Sequence, residues 1–307
     1  MSDPFHPDLR LARVLPRALV GPRSLRPMRL ATRLADRVPR PGVEVVRIDA
    51  DVSVRLFRPS SDGPSPAVLW MHAGGTVIGS AAQDDWFCRR WSRRLGAVVA
   101  SVEYRLAPEH PFPAPLEDCH TALRWLAARP DVDPDRIAVG GASAGGGLAA
   151  GLALLTRERG GVRPVLQLLS YPMLDDRTAG RTDVDQRHLR LWNSASNRFA
   201  WRSYLGPLDG GPVPPEAAPA RAEDLGGLPP AWIGVGTNDL FHDEDVAYAR
   251  RLQEAGVPCT LLVVPGGYHA FDLAEPWAPV SREFLRARTA ALAAALGGAL
   301  GGALGGR

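Results

Sequence analysis

The chain has 307 residues, 45% of them apolar and 22% charged, with a formal net charge of +3 and a pI near 9.0. That length supports one large core, and the complete absence of lysine excludes a pyridoxal Schiff base, a P-loop lysine and a Ser–Lys dyad. The arginines are scattered rather than gathered with aromatics, which argues against nucleic acid as a partner, and no run of about 18 apolar residues predicts a membrane span.

Residues 1–42 are rich in proline and arginine. Short amphipathic pieces over Pro7–Val20 and Ser24–Val38 predict one or two helices packed on something else. The segment lacks the continuous apolar stretch of a secretory signal, so a cytoplasmic location is expected. Val43–Ile48 and Val52–Phe57 then read as a strand pair around an Asp-Ala-Asp turn. Ala67–Met71, Ala97–Val102, Arg136–Gly140, Val165–Leu169, Trp232–Gly236 and Thr260–Val264 are short apolar runs bounded by turn residues. Runs of this kind suit strands buried on both faces of a parallel sheet. Helical patterns lie between them, over Asp84–Leu95, Pro115–Ala128, Ser143–Glu158, Asp243–Ala255 and Val280–Leu296. The alternation predicts a doubly wound α/β fold with about eight strands.

The alternation breaks over 172–225, which carries Trp192, Phe199, Trp201 and Tyr204 but no strand pattern. An insertion of this size with its own aromatics reads as a helical cap. The expected organisation is an N-terminal helical part, 1–42, a catalytic core, 43–171 and 226–296, the insertion, 172–225, and a flexible Gly-rich tail, 297–307. Cys88, Cys119 and Cys259 read as small core residues rather than a disulfide framework.

The chemistry lies at strand exits. Gly141-Ala142-Ser143-Ala144-Gly145 follows a predicted strand and opens a helix, the context of a nucleophile elbow. Crowding there admits only residues without a side chain at the glycines, and the helix N-terminus aims N–H groups at developing negative charge. His72-Ala73-Gly74-Gly75 follows another strand. The N–H groups of Gly74 and Gly75, with that of Ala144, are the candidate oxyanion hole. His72 is expected to anchor this loop. Asp239 follows Trp232–Gly236, and His269 sits in the loop after Thr260–Val264. Ser143, Asp239 and His269 stand in the chain order of an α/β-hydrolase triad. Asp243 and Asp245 fall at the start of the next helix and read as partners of its dipole. His6, His110, His120, His188 and His242 lack comparable placement. No H-E-x-x-H or early G-x-G-x-x-G occurs, so neither a metal nor a dinucleotide cofactor is expected.

Taken with these motifs, the chain resembles the hormone-sensitive-lipase-like bacterial carboxylesterases over about residues 43–290. The most specific element is Glu103-Tyr104-Arg105-Leu106-Ala107-Pro108-Glu109-His110-Pro111-Phe112-Pro113-Ala114. The elbow at Gly141–Gly146, the acid motif at Asp239 and Asp243-Glu244, and His269–Phe271 match as well. Ala73 stands where the family usually has glycine, and Ala142 where Asp or Thr is common. The resemblance implies hydrolysis of a small-molecule carboxylic ester; an aromatic-lined, fairly small pocket is expected to favour short to medium acyl chains, and acyl transfer to water through the triad requires no cofactor. It also implies that residues 1–42 and 172–225 together form a cap. A homodimer is compatible with this reading. Two other readings share the fold: a non-catalytic small-molecule receptor, and an acyltransferase or amide hydrolase.

Overall fold

The computed structural model describes residues 4–36, 40, 42–60 and 63–297. Eight strands form one sheet: β1 Glu44–Arg47, β2 Ser53–Phe57, β3 Ser65–Met71, β4 Val98–Glu103, β5 Val132–Ala142, β6 Leu166–Ser170, β7 Ala231–Asn238 and β8 Cys259–Tyr268. Their order is β1-β2-β4-β3-β5-β6-β7-β8. The first two strands pair antiparallel, β2 pairs antiparallel with β4, and every other pairing is parallel. All the predicted strands are present, and β5 and β8 run longer than their apolar runs.

The α-helices are α1 Leu25–Asp36, α2 Asp85–Leu95, α3 Ala114–Ala127, α4 Ala144–Arg159, α5 Ser194–Leu205, α6 His242–Glu254, α7 Phe271–Ala274 and α8 Pro279–Ala295. Alternate side chains of β3 feed two cores. Leu69 and Met71 join the core containing Leu123 of α3, Leu152 of α4 and Tyr248 of α6. Val68 and Trp70 join the core containing Trp91 of α2 and Phe284 of α8. Alternation with period two across a twisted sheet gives this division, and burial on both faces explains the near-continuous apolar runs.

Two expectations need correction. Pro7–Val20 is not a helix. It holds one short 3-10 turn, Leu11–Arg13. Its backbone bonds elsewhere: the Leu191 N–H donates to Pro16 O at 2.8 Å and the Leu19 N–H to Leu191 O at 3.1 Å. Partners this distant in sequence override local propensity. The insertion is less helical than expected, with α5 and three 3-10 turns, Asp176–Gly180, Gly206–Leu208 and Pro219–Arg221. Its prolines and paired glycines account for that. Asn193 caps α5 by accepting from the Ala195 and Ser196 N–H groups. Ser24–Val38 does contain α1, although its last residues and most of the 297–307 tail lie outside the described residues. Cys88 and Cys119 are buried, whereas Cys259 is half-buried.

Candidate active site

The elbow is a tight point of the fold. Ser143 has φ +55° and ψ −122°, a conformation that side-chain-bearing residues rarely adopt. The surrounding structure enforces it. The Ser143 N–H donates to Ser170 O at 2.9 Å, and its carbonyl accepts from the Met173 N–H at 3.0 Å. A Cβ on Gly141 would lie 2.2 Å from Gly145 backbone atoms, and one on Gly145 would lie 2.2 Å from Met71 O. The glycines are therefore required by backbone approaching backbone, which no rotamer change can relieve.

Three side chains from three strand exits meet here. His269 Nε2 is 3.0 Å from Ser143 Oγ, and His269 Nδ1 is 2.8 Å from Asp239 Oδ2. The second Asp239 oxygen accepts from the Phe241 N–H at 3.0 Å. All three residues are buried, with Ser143 only 2% exposed.

The Gly74–Gly75 loop runs beside the elbow, since a Cβ on Gly145 would also lie 2.5 Å from His72 O. Both glycines have positive φ, +137° and +61°. The Val77 and Ile78 N–H groups both bond back to Gly74 O at 3.0 Å, closing a tight turn. Ala144 begins α4, so its N–H has no intrahelical acceptor. Burial holds the His72 imidazole near a pKa of about 4, so it stays neutral at pH 7, as expected of an anchor. It stacks on Tyr104 with 4.1 Å between ring centroids, and the Tyr104 hydroxyl donates to His72 O at 2.8 Å. The Ala107 N–H bonds Thr76 O at 2.9 Å. The proline-bound segment from Glu103 to Ala114 thus braces the glycine loop.

A family model described as alpha/beta hydrolase fold matches residues 68–273, a span holding every residue of this cluster. The chain belongs to the alpha/beta hydrolase fold family. Esterase LipI of Mycobacterium tuberculosis (strain ATCC 25618 / H37Rv) is 40% identical over 214 residues, covering 67% of this chain and 67% of LipI. Ethyl acetate hydrolase of Pseudomonas putida is 34% identical over 226 residues, covering 71% and 70%. Among solved structures, Bacterial Heroin Esterase superposes with a TM-score of 0.85 at 37% identity, covering 95% of this chain and 98% of that one. Within the family, the chain is a hormone-sensitive-lipase-like carboxylesterase.

In this alpha/beta hydrolase, sequence reasoning missed the walls around His269. Tyr171, Trp192 and Phe241 surround the imidazole with centroid distances of 5.1, 5.9 and 5.3 Å. Trp192 also closes over the glycine loop, since a Cβ on Gly75 would meet its Cη2 at 2.5 Å. The aromatic count of the insertion was a signal, but no local pattern says which ring reaches the base. Among the described residues no side chain of His6, His110, His120, His188 or His242 hydrogen-bonds the triad, and His242 meets it only through its backbone N–H, which donates to Asp239 O at 3.2 Å. No group of three or more potential metal ligands occurs among those residues either.

The acids that follow Asp239 separate into different roles. Asp243 is exposed and pairs with Arg181 at 2.8 Å, consistent with an ordinary surface position in the first turn of α6. Asp245 departs from the dipole-partner reading. It is fully buried, and burial pushes its carboxyl well above the usual carboxylate range. Glu244 is structural: it accepts from the Leu174 N–H at 2.8 Å, the Asp175 N–H at 3.1 Å and the Thr178 hydroxyl. It thereby fastens the start of the insertion to α6.

Burial raises the Glu244 carboxyl from 4.5 to about 8, against the lowering effect of those three donors. A folded value above the unfolded one means the contribution to stability is full below about pH 4.5 and is lost as pH rises towards 8. Glutamine keeps the acceptor oxygen and cannot ionise. Glu244→Gln is therefore expected to gain on wild type by on the order of 2 kcal/mol between those limits. Each tenfold change in a protonation equilibrium is worth about 1.4 kcal/mol, and relaxation of the fold takes up part of the total. Urea midpoints of both proteins at pH 4.5 and pH 8 measure this. An unchanged difference would mean that Glu244 is ionised without cost in the fold.

Proposed function

We propose that the chain hydrolyses carboxylic esters with Ser143 as nucleophile, His269 as general base and acid, and Asp239 as the partner that orients His269. The observation that carries this reading is the unbroken relay from Ser143 Oγ to His269 Nε2 and from His269 Nδ1 to Asp239, at 3.0 and 2.8 Å. His269 takes the serine proton as Oγ attacks the carbonyl, then delivers it to the leaving alcohol. Water activated by the same imidazole cleaves the acyl-serine and frees the acid. The N–H groups of Gly74, Gly75 and Ala144 face the developing oxyanion, a contribution on the order of 3 kcal/mol for a strong donor. No cofactor enters this scheme.

In the same reading, residues 43–171 and 226–296 carry the chemistry, and 1–42 with 172–225 form the cap. Cross-bonds between the two cap pieces support it: Leu191 with Pro16 and Leu19, Ser196 Oγ to Val20 O at 2.5 Å, and Arg190 Nε to Ala12 O at 2.5 Å. Trp192 and Ala200 crowd Gly75, and Phe241 packs against Trp192 and His269 beside them. Crowding of this kind favours short to medium acyl chains, because a longer chain gains only about 0.8 kcal/mol per methylene if it can be buried at all. A cytoplasmic location and a homodimer belong to the proposal too. Among the described residues no helix is long and apolar enough to cross a membrane.

Turnover of p-nitrophenyl acetate, butyrate, octanoate and palmitate tests the reading, together with labelling by a p-nitrophenyl phosphonate. The expected profile peaks among the shorter esters, with the phosphonyl mass on the peptide containing Ser143. An adduct on a different residue, or no turnover by folded protein, would overturn it.

A further inference from the structure

A positive charge lies fully buried behind the triad. Arg288 of α8 has no exposed surface. Its guanidinium carbon stands over Phe87 at 4.8 Å, Trp91 at 5.2 Å, Trp70 at 5.4 Å and Phe284 at 6.0 Å. Nη1 donates to Ser170 Oγ at 3.2 Å and lies 3.6 Å from Asp272 Oδ2. The other Asp272 oxygen accepts from the Tyr171 hydroxyl at 2.7 Å. The Tyr171 ring meets the His269 imidazole edge-on, at 5.1 Å and 70°. Tyr171 has φ +36°, and its N–H is held by Gly234 O at 2.6 Å. Ser170, the other partner of Arg288, supplies the carbonyl that receives the Ser143 N–H.

This arrangement is a poor way to stabilise a core. Removing a guanidinium from water is costly, and its attraction to one carboxylate at this distance repays only part of that. Arg288 Nε and Nη2 find no partner among the described residues. Cation–π attraction from four rings offsets some of the loss. A methionine or leucine would fill the same aromatic box without any such cost. The cation also lies where its two polar contacts lead to the two halves of the reacting pair. One runs through Ser170 to the nucleophile, and the other through Asp272 and Tyr171 to the base.

We propose that Arg288 is a positioning residue for the triad: it holds the Asp272 carboxylate in place, Asp272 fixes the Tyr171 hydroxyl, and the Tyr171 ring holds the His269 imidazole in line between Ser143 and Asp239. Asp84, which accepts from Trp70 Nε1 at 2.7 Å, is buried nearby, and burial raises its carboxyl to about 7. The inference rests on the triad reading above. It adds a support that extends from the last helix through the core to the base.

The test is steady-state kinetics on p-nitrophenyl butyrate with Arg288→Met, Asp272→Asn, the double variant and Tyr171→Phe, each checked for folding by circular dichroism. Misplacing a catalytic group by up to an ångström costs about 10²-fold. Arg288→Met is expected to lower kcat by about 10- to 100-fold with KM nearly unchanged. The double variant is expected to recover part of that loss. The neutral amide that Asp272→Asn introduces still accepts from the Tyr171 hydroxyl, and no unpaired anion is left. Tyr171→Phe keeps the ring and is expected to lose a smaller part of kcat. A folded Arg288→Met with wild-type kcat, a loss confined to KM, or a double variant whose losses multiply would overturn the proposal. If Arg288→Met does not fold, wild-type kcat in Tyr171→Phe overturns it alone. These failures differ from failure of the triad reading, which would show as inactive wild type or as a phosphonate adduct away from Ser143.

Discussion

Ser143→Ala is expected to lower kcat on p-nitrophenyl butyrate by on the order of 10⁶-fold, as for removal of the nucleophile from a preorganised triad. The side-chain oxygen has one protein partner among the described residues, His269 Nε2 at 3.0 Å. Its loss therefore removes the attacking atom without orphaning a backbone group. The strained φ of Ser143 is imposed by the Ser170 and Met173 bonds, both made by its backbone. Alanine keeps both, so the melting temperature is expected to stay within a few degrees of wild type. KM, where residual turnover allows its measurement, is expected to move little, since the cap and the glycine loop are untouched. Stopped-flow and overnight assays with rigorously purified variant cover the range. Residual activity above about one per cent of wild type would mean that another group attacks the ester.

The second large effect is expected from Asp239→Asn. Asp239 Oδ1 accepts from the Phe241 N–H at 3.0 Å, and Oδ2 accepts from His269 Nδ1 at 2.8 Å. Asparagine must turn its one oxygen toward the backbone donor at Phe241, because the amide nitrogen cannot accept a bond. Its NH₂ then points at Nδ1, which is forced to be the acceptor. The ring proton moves to Nε2 and faces Ser143, so the imidazole can no longer take the serine proton. Replacing one oxygen by an NH₂ group should therefore cost kcat about 10⁴-fold while leaving the fold intact. Asp239→Glu is the contrasting case: it keeps the charge but overfills a side-chain site with 0% exposure. A loss smaller than about tenfold in Asp239→Asn would argue that another acid orients His269.

The fold was legible in the sequence where structure follows from local pattern. The eight strand runs and the elbow glycines were of this kind. So was the placement of Asp239 and His269 at strand exits, because buried parallel strands are apolar and their C-terminal turns are polar or glycine-rich. Bonds to distant partners were not legible. Pro7–Val20 looked amphipathic, yet its backbone is committed to Leu191 on the far side of the chain. Asp243 and Asp245 sat two positions apart in one helical turn and looked equivalent. One faces Arg181 and solvent, while the other is sealed in the core. Glu244, Trp192, Tyr171 and Arg288 likewise take their roles from contacts across 60 residues or more, such as Glu244 with Thr178 and Arg288 with Ser170.

The enclosure of Ser143 also has a kinetic side. With its residue 2% exposed, the nucleophile is expected to meet an ester when the insertion and the glycine loop part. Motions of that size run on microsecond to millisecond timescales. Turnover then has a ceiling that belongs to the protein and not to the ester. Once bond-making outpaces parting, a better leaving group adds nothing, and unlike esters converge on one kcat. The ring that shelters the base thus doubles as a clock.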